Sequence, residues 1–231
     1  FIGQTLAYDI DSTLHVQKSF PPGFSRYLEA TPEIQVNHPF LRKVQQQQVS
    51  DTSAVLTILR DIFDYTQSMP SRPFKRLTDA LTAAPLGEAS CNGKSRLFVV
   101  LARQAGIPSR LVGGIILESG QKKTSHQWVE VYLNGFWVPF DALNEQFARL
   151  PGNYLRLYQG DAFLFSHTPN INFDYSFTIK KRLVANPALL SELYSHPFNA
   201  YAAWQSFETI CIPLGLLKII IMLPLGALVV A

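Results

Sequence analysis

The feature that most constrains the fold is an Asn134-Gly135 pair that lies between two segments of alternating apolar and polar residues. Asn-Gly with such flanks is the strongest short-range signal for a β-hairpin with a two-residue turn. The pattern predicts strands over residues 126–133 and 136–140. A turn of this length also fixes the pairing register of the two strands.

This register places two polar side chains close together. Counting back from the turn, Trp128 should face Asp141. His126 shares the face of Trp128 and should be the diagonal neighbour of Asp141, at about 7 to 8 Å between Cα atoms. A hydrogen bond between carboxylate and imidazole can close that distance.

The two faces of the hairpin need different cover. We expect the face of His126, which also carries Trp128, Tyr132 and Trp137, to pack against a helix that begins at Cys91 and so to bring the thiol to the imidazole. The opposite face is apolar and needs a cover of its own. It comprises Val129, Val131, Leu133, Phe136, Val138 and Phe140.

The helix that begins at Cys91 is predicted from apolar residues at helical spacing, and Gly106-Ile107-Pro108 should end it. Unpaired N–H groups and the positive end of the helix dipole would stabilise a thiolate there, by roughly 0.3 to 1 kcal/mol in an exposed site. The same N–H groups could help to hold an oxyanion. A strand over residues 109–117 and a polar loop should follow.

Cys91, His126 and Asp141 therefore form the outline of a thiol catalytic triad, with a nucleophile, a base and an orienting carboxylate. A cysteine at a helix start is more often a small buried residue than a nucleophile, so a structural role is the alternative. We predict substrate contacts for Trp128 and Asn92, although Trp128 also suits the core.

Three motifs in this order resemble the core of the transglutaminase-like superfamily. Together they cover roughly residues 75–145 and read Gly106-Ile107-Pro108-Ser109-Arg110, Ser125-His126-Gln127-Trp128-Val129-Glu130-Val131-Tyr132 and Gly135-Phe136-Trp137-Val138-Pro139-Phe140-Asp141. The resemblance implies an α+β, papain-like core in which a cysteine-bearing helix packs on an antiparallel sheet. It also implies Cys91 as nucleophile, His126 as base and Asp141 as orienter, with a thioester formed on an amide and then attacked by water or an amine.

The end of the chain is apolar. From residue 210 onward Lys218 is the only charged residue, and a complete membrane span needs about 20 apolar residues. Pro213, Pro224 and Lys218 suggest a span that begins near Ile219 and is cut short. Because the chain also starts without a methionine, we expect it to be an internal piece of a membrane protein.

A domain of this kind followed by such a tail resembles a bacterial family in which the domain, usually described as inactive, is fused to seven transmembrane helices. The resemblance implies a membrane location, with the soluble domain on the extracytoplasmic, or periplasmic, side. The predicted division has four parts. They are an irregular and strand-like segment at 1–50, the transglutaminase-like domain at 51–185, a connecting helix at 186–209 and a truncated transmembrane segment at 210–231.

Composition excludes some classes of partner. A net charge of +3 without a basic run gives no support for nucleic-acid binding. Neither Cys91 nor Cys211 has a neighbour at metal-ligand spacing and the five histidines are scattered, so we expect neither a metal nor a cofactor. The different settings of the two cysteines also argue against a disulfide.

Two functions from different classes remain open. The first is a membrane-tethered thiol enzyme that acts on peptide amides by hydrolysis or transamidation. The second is a catalytically inactive peptide-binding or sensory domain that keeps the cleft and passes its occupancy to the membrane region. In both cases the expected partners are a peptide or protein, and the membrane through the C-terminal segment.

Overall fold

The computed structural model describes residues 2–72, 79–122, 125–162 and 176–180, and the backbone of four short stretches between 204 and 230. The chain begins with strands β1 (Ile2–Gln4) and β2 (Leu6–Ala7) and a 3-10 helix at Phe24–Tyr27. Within the described part, the helices are α1 (Pro39–Gln48), α2 (Val55–Ser68), α3 (Ala80–Leu86) and α4 (Cys91–Gln104).

The strands between α4 and residue 180 include the four strands of the central sheet. They are β3 (Ser109–Ile116), β4 (Gly120–Lys122), β5 (His126–Leu133), β6 (Phe136–Phe140), β7 (Arg149–Leu150), β8 (Tyr154–Gln159) and β9 (Phe177–Lys180). The short strands of the tail are β10 (Trp204–Ser206), β11 (Thr209–Leu214), β12 (Leu217–Ile221) and β13 (Leu228–Val230).

The central sheet has the order β6-β5-β3-β8 with antiparallel neighbours. The predicted hairpin is confirmed, since Leu133 lies opposite Phe136 in the register of β5 and β6. Asn134 and Gly135 have φ angles of 45° and 93°, which is the left-handed backbone that a two-residue turn of type I′ requires.

Helix α4 packs on this sheet, but on the face opposite to the predicted one. Phe98 of α4 lies in the same buried core as Val129 and Val131 of β5, and its ring is 5.3 Å from that of Phe140. The prediction that α4 covers the face of His126 is therefore wrong. The aliphatic face offers α4 an uninterrupted apolar contact, whereas the other face carries polar groups that need partners.

The N-terminal part contains a helix that the sequence pattern did not predict. Helix α1 begins with Pro39 at its first position, and the side chain of His38 accepts a hydrogen bond from the N–H of Phe40 at 3.2 Å. Leu41 and Val44 are buried three residues apart on one side of this helix. The segment at 1–50, predicted to be irregular and strand-like, therefore contains a helix over residues 39–48.

The tail of the chain is described only in part. Strands β11, β12 and β13 form a second antiparallel sheet with β9 and β4, in the order β13-β12-β11-β9-β4. A connecting helix was predicted for residues 186–209. The described backbone in that range comprises β10 and the start of β11, which are strands, and the other residues lie outside the described part of the chain. No helix in the described part of the chain is long and apolar enough to cross a membrane. The membrane segment over residues 210–231 thus stays a prediction.

Candidate active site

Cys91 is the first residue of α4 and is partly exposed. The side chain of Ser90 caps the helix by accepting a hydrogen bond from the N–H of Gly93 at 3.5 Å, and its carbonyl accepts from Lys94. The N–H groups of Cys91 and Asn92 come before these two and have no acceptor within the helix. The thiol therefore lies at a helix end that presents N–H donors and the positive end of the dipole.

Ser95 explains how the thiol reaches the sheet although α4 covers the other face. Its buried hydroxyl donates a hydrogen bond of 3.1 Å to the carbonyl oxygen of Gln127, which joins the second turn of α4 to the start of β5. His126 is the first residue of β5 and Cys91 the first of α4, so both residues lie at the same rim of the sheet.

The imidazole of His126 contacts both of the other candidate residues. Its Nε2 donates a hydrogen bond of 2.6 Å to Oδ2 of Asp141, and Cys91 lies near enough to the ring to raise its pKa. Because Nε2 serves Asp141, Nδ1 is the ring nitrogen that remains for another partner. The structure thus brings together the three residues that the sequence singled out, with the imidazole between sulfur and carboxylate.

The electrostatics favour a charged imidazole. Burial disfavours the charge, but the hydrogen bonds and charges of Asp141 and Cys91 outweigh it and raise the pKa of His126 to about 9. Burial would raise the pKa of Asp141, yet its contacts with His126, Tyr154 and Asn144 hold that pKa below its usual value. At neutral pH the pair is therefore imidazolium and carboxylate.

Asp141 is held by five donors. Oδ2 accepts hydrogen bonds from His126, from the hydroxyl of Tyr154 at 2.7 Å and from Nδ2 of Asn144 at 2.8 Å. Oδ1 accepts from the backbone N–H groups of Leu143 at 3.0 Å and Asn144 at 3.3 Å. The carboxylate is consequently fixed in position and in charge, and it fixes the imidazole in turn.

The amide of Asn144 closes this network. Its Nδ2 donates one hydrogen to Asp141 and the other to the hydroxyl of Tyr154 at 3.1 Å. Nδ2 also lies 3.2 Å from Nε2 of His126, but both nitrogens are donors, so this approach is a contact and not a hydrogen bond. Burial and the charge of Asp141 raise the pKa of Tyr154, which keeps its hydroxyl protonated and able to donate.

A close approach between strands lets Tyr154 reach Asp141. Gly114 of β3 lies opposite His126 in β5, and on its other side it pairs with β8, the strand that Tyr154 begins. A Cβ atom at Gly114 would lie 1.8 Å from the carbonyl oxygen of Leu155. Only glycine allows β8 to pack this near to the site.

The two predicted substrate-binding residues lie in different surroundings. Trp128 is fully buried, with its ring 5.5 Å from that of Tyr154 and 6.3 Å from the imidazole of His126. This position supports a packing role beneath His126, and a substrate contact would require the indole to be uncovered. Asn92 lies at the thiol, where its Oδ1 accepts a hydrogen bond of 3.3 Å from Sγ of Cys91.

Sequence reasoning missed Ser95, Asn144 and Tyr154. Ser95 carried a usable signal, because it follows Cys91 by four residues and so shares its side of the helix. Asn144 follows Asp141 by three residues, a spacing typical of a local turn in which the aspartate accepts backbone hydrogen bonds. Among the described residues, no group of three or more His, Cys, Asp or Glu side chains could hold a metal ion.

Comparison with known proteins agrees with this architecture. Residues 36–142 match the Transglut_core family model, described as the transglutaminase-like superfamily. No curated protein matches the chain.

Solved structures that are similar to the chain include the following three. A candidate cysteine protease from Cytophaga hutchinsonii is 18% identical with a TM-score of 0.47, over 67% of this chain and 61% of that one. The periplasmic domain of TgpA from Pseudomonas aeruginosa, bound to ethylmercury, is 17% identical with a TM-score of 0.41, over 54% and 50% of the two chains. A structure described as a TGase is 16% identical with a TM-score of 0.32, over 49% and 32%. The chain thus spans less than two thirds of each of these proteins.

The family match covers α1 to β6, the elements that carry Cys91, His126 and Asp141. It agrees with a cysteine-bearing helix that packs on an antiparallel sheet. Residues 36–142 therefore match a domain of the transglutaminase-like superfamily.

Proposed function

We propose that this domain is a thiol enzyme that acts on peptide amides through a thioester on Cys91, by hydrolysis or transamidation. The observation that carries the proposal is the position of His126, whose ring is hydrogen-bonded to Asp141 and lies near enough to Cys91 for that residue to raise its pKa. An imidazole between a thiol and a buried carboxylate is the arrangement that nucleophilic catalysis by cysteine uses.

In the first step the sulfur of Cys91 attacks the carbonyl carbon of the amide and forms a C–S bond. The N–H groups of Cys91 and Asn92 at the start of α4 are the donors available to the developing oxyanion. His126 then gives its proton to the leaving nitrogen as the C–N bond breaks. A thioester and a free amine result.

In the second step water or a primary amine attacks the thioester carbon. His126 accepts a proton from the attacking group, and the C–S bond breaks to release the sulfur as a thiolate. Asp141 stays ionised throughout, because it orients the ring and stabilises its charged form. The acceptor decides between hydrolysis and transamidation, which share every residue of the site.

The raised pKa of His126 supports this mechanism. With a pKa of about 9 the ring is protonated at neutral pH, so it can stabilise a thiolate as a counter-ion and then act as the acid for the leaving nitrogen. An imidazole with an ordinary pKa near 6.5 would be mostly neutral there.

A test is to look for the thioester directly. The chain is incubated with a mixture of glutamine-containing peptides, quenched in acid and analysed by mass spectrometry that resolves Cys91 from Cys211. We expect an acyl adduct on Cys91 that is absent in Cys91→Ala and His126→Ala, and that a primary amine converts to an amide product. If no adduct forms and His126→Ala leaves the reactivity of Cys91 unchanged, the enzymatic proposal fails.

One observation favours the second function, an inactive peptide-binding or sensory domain. The thiol of Cys91 donates its hydrogen to Oδ1 of Asn92. This bond keeps the sulfur protonated, whereas nucleophilic attack requires the thiolate. Rotation of the amide by 180° exchanges Oδ1 for Nδ2, which would donate to a thiolate instead. Asn92→Ala distinguishes the two orientations of the amide. Cys91 should react faster in the variant if Oδ1 had held the thiol proton, and more slowly if Nδ2 had donated to the thiolate.

We also propose that residues 210–231 tether the domain to a membrane, with the domain on the extracytoplasmic side, as in the family fused to seven helices. The apolar sequence with Lys218 as its only charge supports this proposal. Expression of the chain followed by alkaline extraction of membranes tests the tether, and protease protection in sealed vesicles tests the side. Release of the chain by alkali would contradict the tether. Digestion of the domain only after disruption of vesicles whose cytoplasmic side faces inward would contradict the extracytoplasmic location.

A further inference from the structure

A second polar site lies at the end of α4 opposite to Cys91. Arg26, Arg103 and Arg110 line a cavity of about 270 Å³, which we call the arginine cavity. Cys91 and Arg103 are the first and the thirteenth residues of the helix, so about 18 Å of helix axis separates them. The arginine cavity is therefore separate from the candidate active site.

Arg103 is a buried cation that is held by carbonyl groups. Its Nε and Nη2 donate to the carbonyl oxygen of Ser109 at 3.3 and 2.8 Å, and Nη1 donates to the carbonyl of Glu29. Among the described residues no carboxylate contacts this guanidinium, and the side chain of Glu29 is exposed. Two of the five N–H groups of Arg103 are not used by these bonds.

The environment of Arg103 disfavours its charge. Burial lowers its pKa to about 10, although the charge of Glu29 acts in the opposite direction. Buried charges in proteins are usually paired, because a charge without a counter-ion is costly in a medium of low dielectric constant. An anion in the arginine cavity would supply this counter-ion.

The other two arginines add directed donors. Arg110 forms an ion pair of 2.6 Å with Glu130, and its guanidinium lies 3.7 Å from the centre of the Trp137 ring, so its orientation is fixed. Arg26 is exposed, and its Nη2 donates to the hydroxyl of Tyr27 at 2.9 Å. Arg26 brings an exposed cation to the cavity, whereas Arg110 brings a cation of fixed orientation.

The acidic residue of the cavity is already neutralised. Asp161 lines the cavity, but both of its oxygens accept hydrogen bonds from Arg96 of α4, the shorter at 2.7 Å. This pair is nearly buried, with side-chain exposures of 3% and 17%. The net charge that faces the cavity is consequently positive.

We propose that the arginine cavity binds a small oxyanion, a phosphoryl or carboxylate group carried by a small molecule. Guanidinium groups form paired, charge-assisted hydrogen bonds with both kinds of group. Gln159, which also lines the cavity, adds a neutral polar side chain. The cavity is near the lower end of about 300 Å³ for ligand pockets, which suits an anion with few further atoms.

The proposal goes beyond the proposed function, and its test does not depend on it. Binding of inorganic phosphate and of acetate to the full chain is measured by calorimetry and by thermal unfolding, with chloride at equal ionic strength as the reference. We expect saturable binding of at least one probe that chloride does not reproduce. Saturation by phosphate alone assigns a phosphoryl ligand, and saturation by acetate assigns a carboxylate. Cys91→Ala should leave this binding unchanged.

Matched variants locate the site. Arg26 and Arg42 are both exposed arginines, but the guanidinium of Arg42 contacts Asn37, outside the cavity. Arg26→Gln should weaken binding by about tenfold, the size expected for loss of a charged hydrogen bond, while Arg42→Gln should not. The proposal is overturned if neither probe saturates beyond chloride, or if both variants weaken binding equally.

Discussion

The two ends of α4 hold polar clusters that use their hydrogen-bond donors in opposite ways. At the Cys91 end, the donors of Asn144, Tyr154 and His126 converge on one oxygen of Asp141. At the Arg103 end, the guanidinium of Arg103 contacts carbonyl oxygens and borders a cavity. The first arrangement fixes one imidazole for chemistry, because every partner is inside the protein. The second leaves charge without a counter-ion, and so is suited to a ligand.

The largest expected effect comes from His126→Ala. An ordinary cysteine thiol is less than about 1% ionised at pH 6, whereas a thiolate paired with an imidazolium remains reactive there. We expect the rate of Cys91 alkylation at pH 6 to fall by roughly a hundredfold in the variant, measured by mass spectrometry that resolves Cys91. Phosphate binding at the Arg103 end should not change.

His15→Ala is the control for this prediction, since His15 is exposed and its ring contacts Ser53. The control should keep the reactivity of Cys91. A variant of His126 that reacts as fast as the parent would show that the imidazole does not activate the thiol, and the contrast between the two ends of α4 would lose its chemical meaning.

The second prediction concerns the dependence of stability on pH. The folded pKa of His126 is about 9 and its unfolded value about 6.5, so its contribution is fully present below pH 6.5 and is lost as pH rises through 9. The pKa of Asp141 is lowered, so its contribution is present above about pH 4 and is lost in more acidic solution. We expect the free energy of unfolding to be greatest between about pH 4 and 6.5.

Urea unfolding at pH 6 and at pH 9.5 measures this effect, and we expect a loss of roughly 2 to 3 kcal/mol between them. His126→Ala should remove most of that difference. Arg103 acts in the opposite sense, because its lowered pKa makes its charge a cost below about pH 10 that a bound oxyanion would reduce. Phosphate should therefore stabilise the chain at pH 6 without altering the loss due to His126.

Local signals in the sequence account for the Cys91 end. The turn at Asn134 and Gly135 determined the pairing of β5 with β6, and this pairing alone placed His126 beside Asp141. The start of α4 followed from helix periodicity. The face that α4 covers could not be derived in the same way, because both faces of the hairpin carry large apolar side chains and periodicity does not choose between them.

Contacts from distant segments explain what the sequence did not predict. Tyr154 reaches Asp141 from β8, whose register against β3 contains an irregularity at Gly113 and Gly114. The arginine cavity is assembled from the 3-10 helix, the end of α4, the start of β3 and the end of β8. No local pattern links arginines at positions 26, 103 and 110, so tertiary packing alone determines that site.

The third prediction is that Tyr154→Phe loosens the Asp141 network. The change removes one of the three donors to Oδ2 and keeps the ring that packs on Trp128. We expect the free energy of unfolding to fall by about 1 to 2 kcal/mol and the pKa of Asp141 to rise, since a buried carboxylate loses a hydrogen bond. Urea unfolding measures the change in stability. NMR titration of His126 reports the change at Asp141, because the two side chains are hydrogen-bonded to each other.

Tyr65→Phe is the control, because Tyr65 lies on α2 and its hydroxyl does not contact Asp141. If the two variants have the same His126 titration curve, Tyr154 contributes packing but does not position the carboxylate. Asn144→Ala should resemble Tyr154→Phe, since its side chain donates to both Asp141 and Tyr154.

The smallest expected effect comes from a pair of serines that tie α4 to the sheet at its two ends. Ser95 donates to the carbonyl of Gln127 near Cys91, and Ser109 donates to the carbonyl of Val99 near Arg103, at 3.1 and 3.3 Å. Replacement of either by Ala should cost about 1 kcal/mol of stability. Only Ser95→Ala should also slow the alkylation of Cys91, by a fewfold, because that bond sets the distance from the start of the helix to His126. Ser109→Ala should instead weaken phosphate binding. Arg103 donates to the backbone carbonyl of Ser109, and loss of the hydroxyl bond to Val99 leaves that carbonyl less firmly placed. Equal effects of the two variants on Cys91 alkylation and on phosphate binding would mean that α4 shifts as a rigid body. Its two ends would then not be positioned independently.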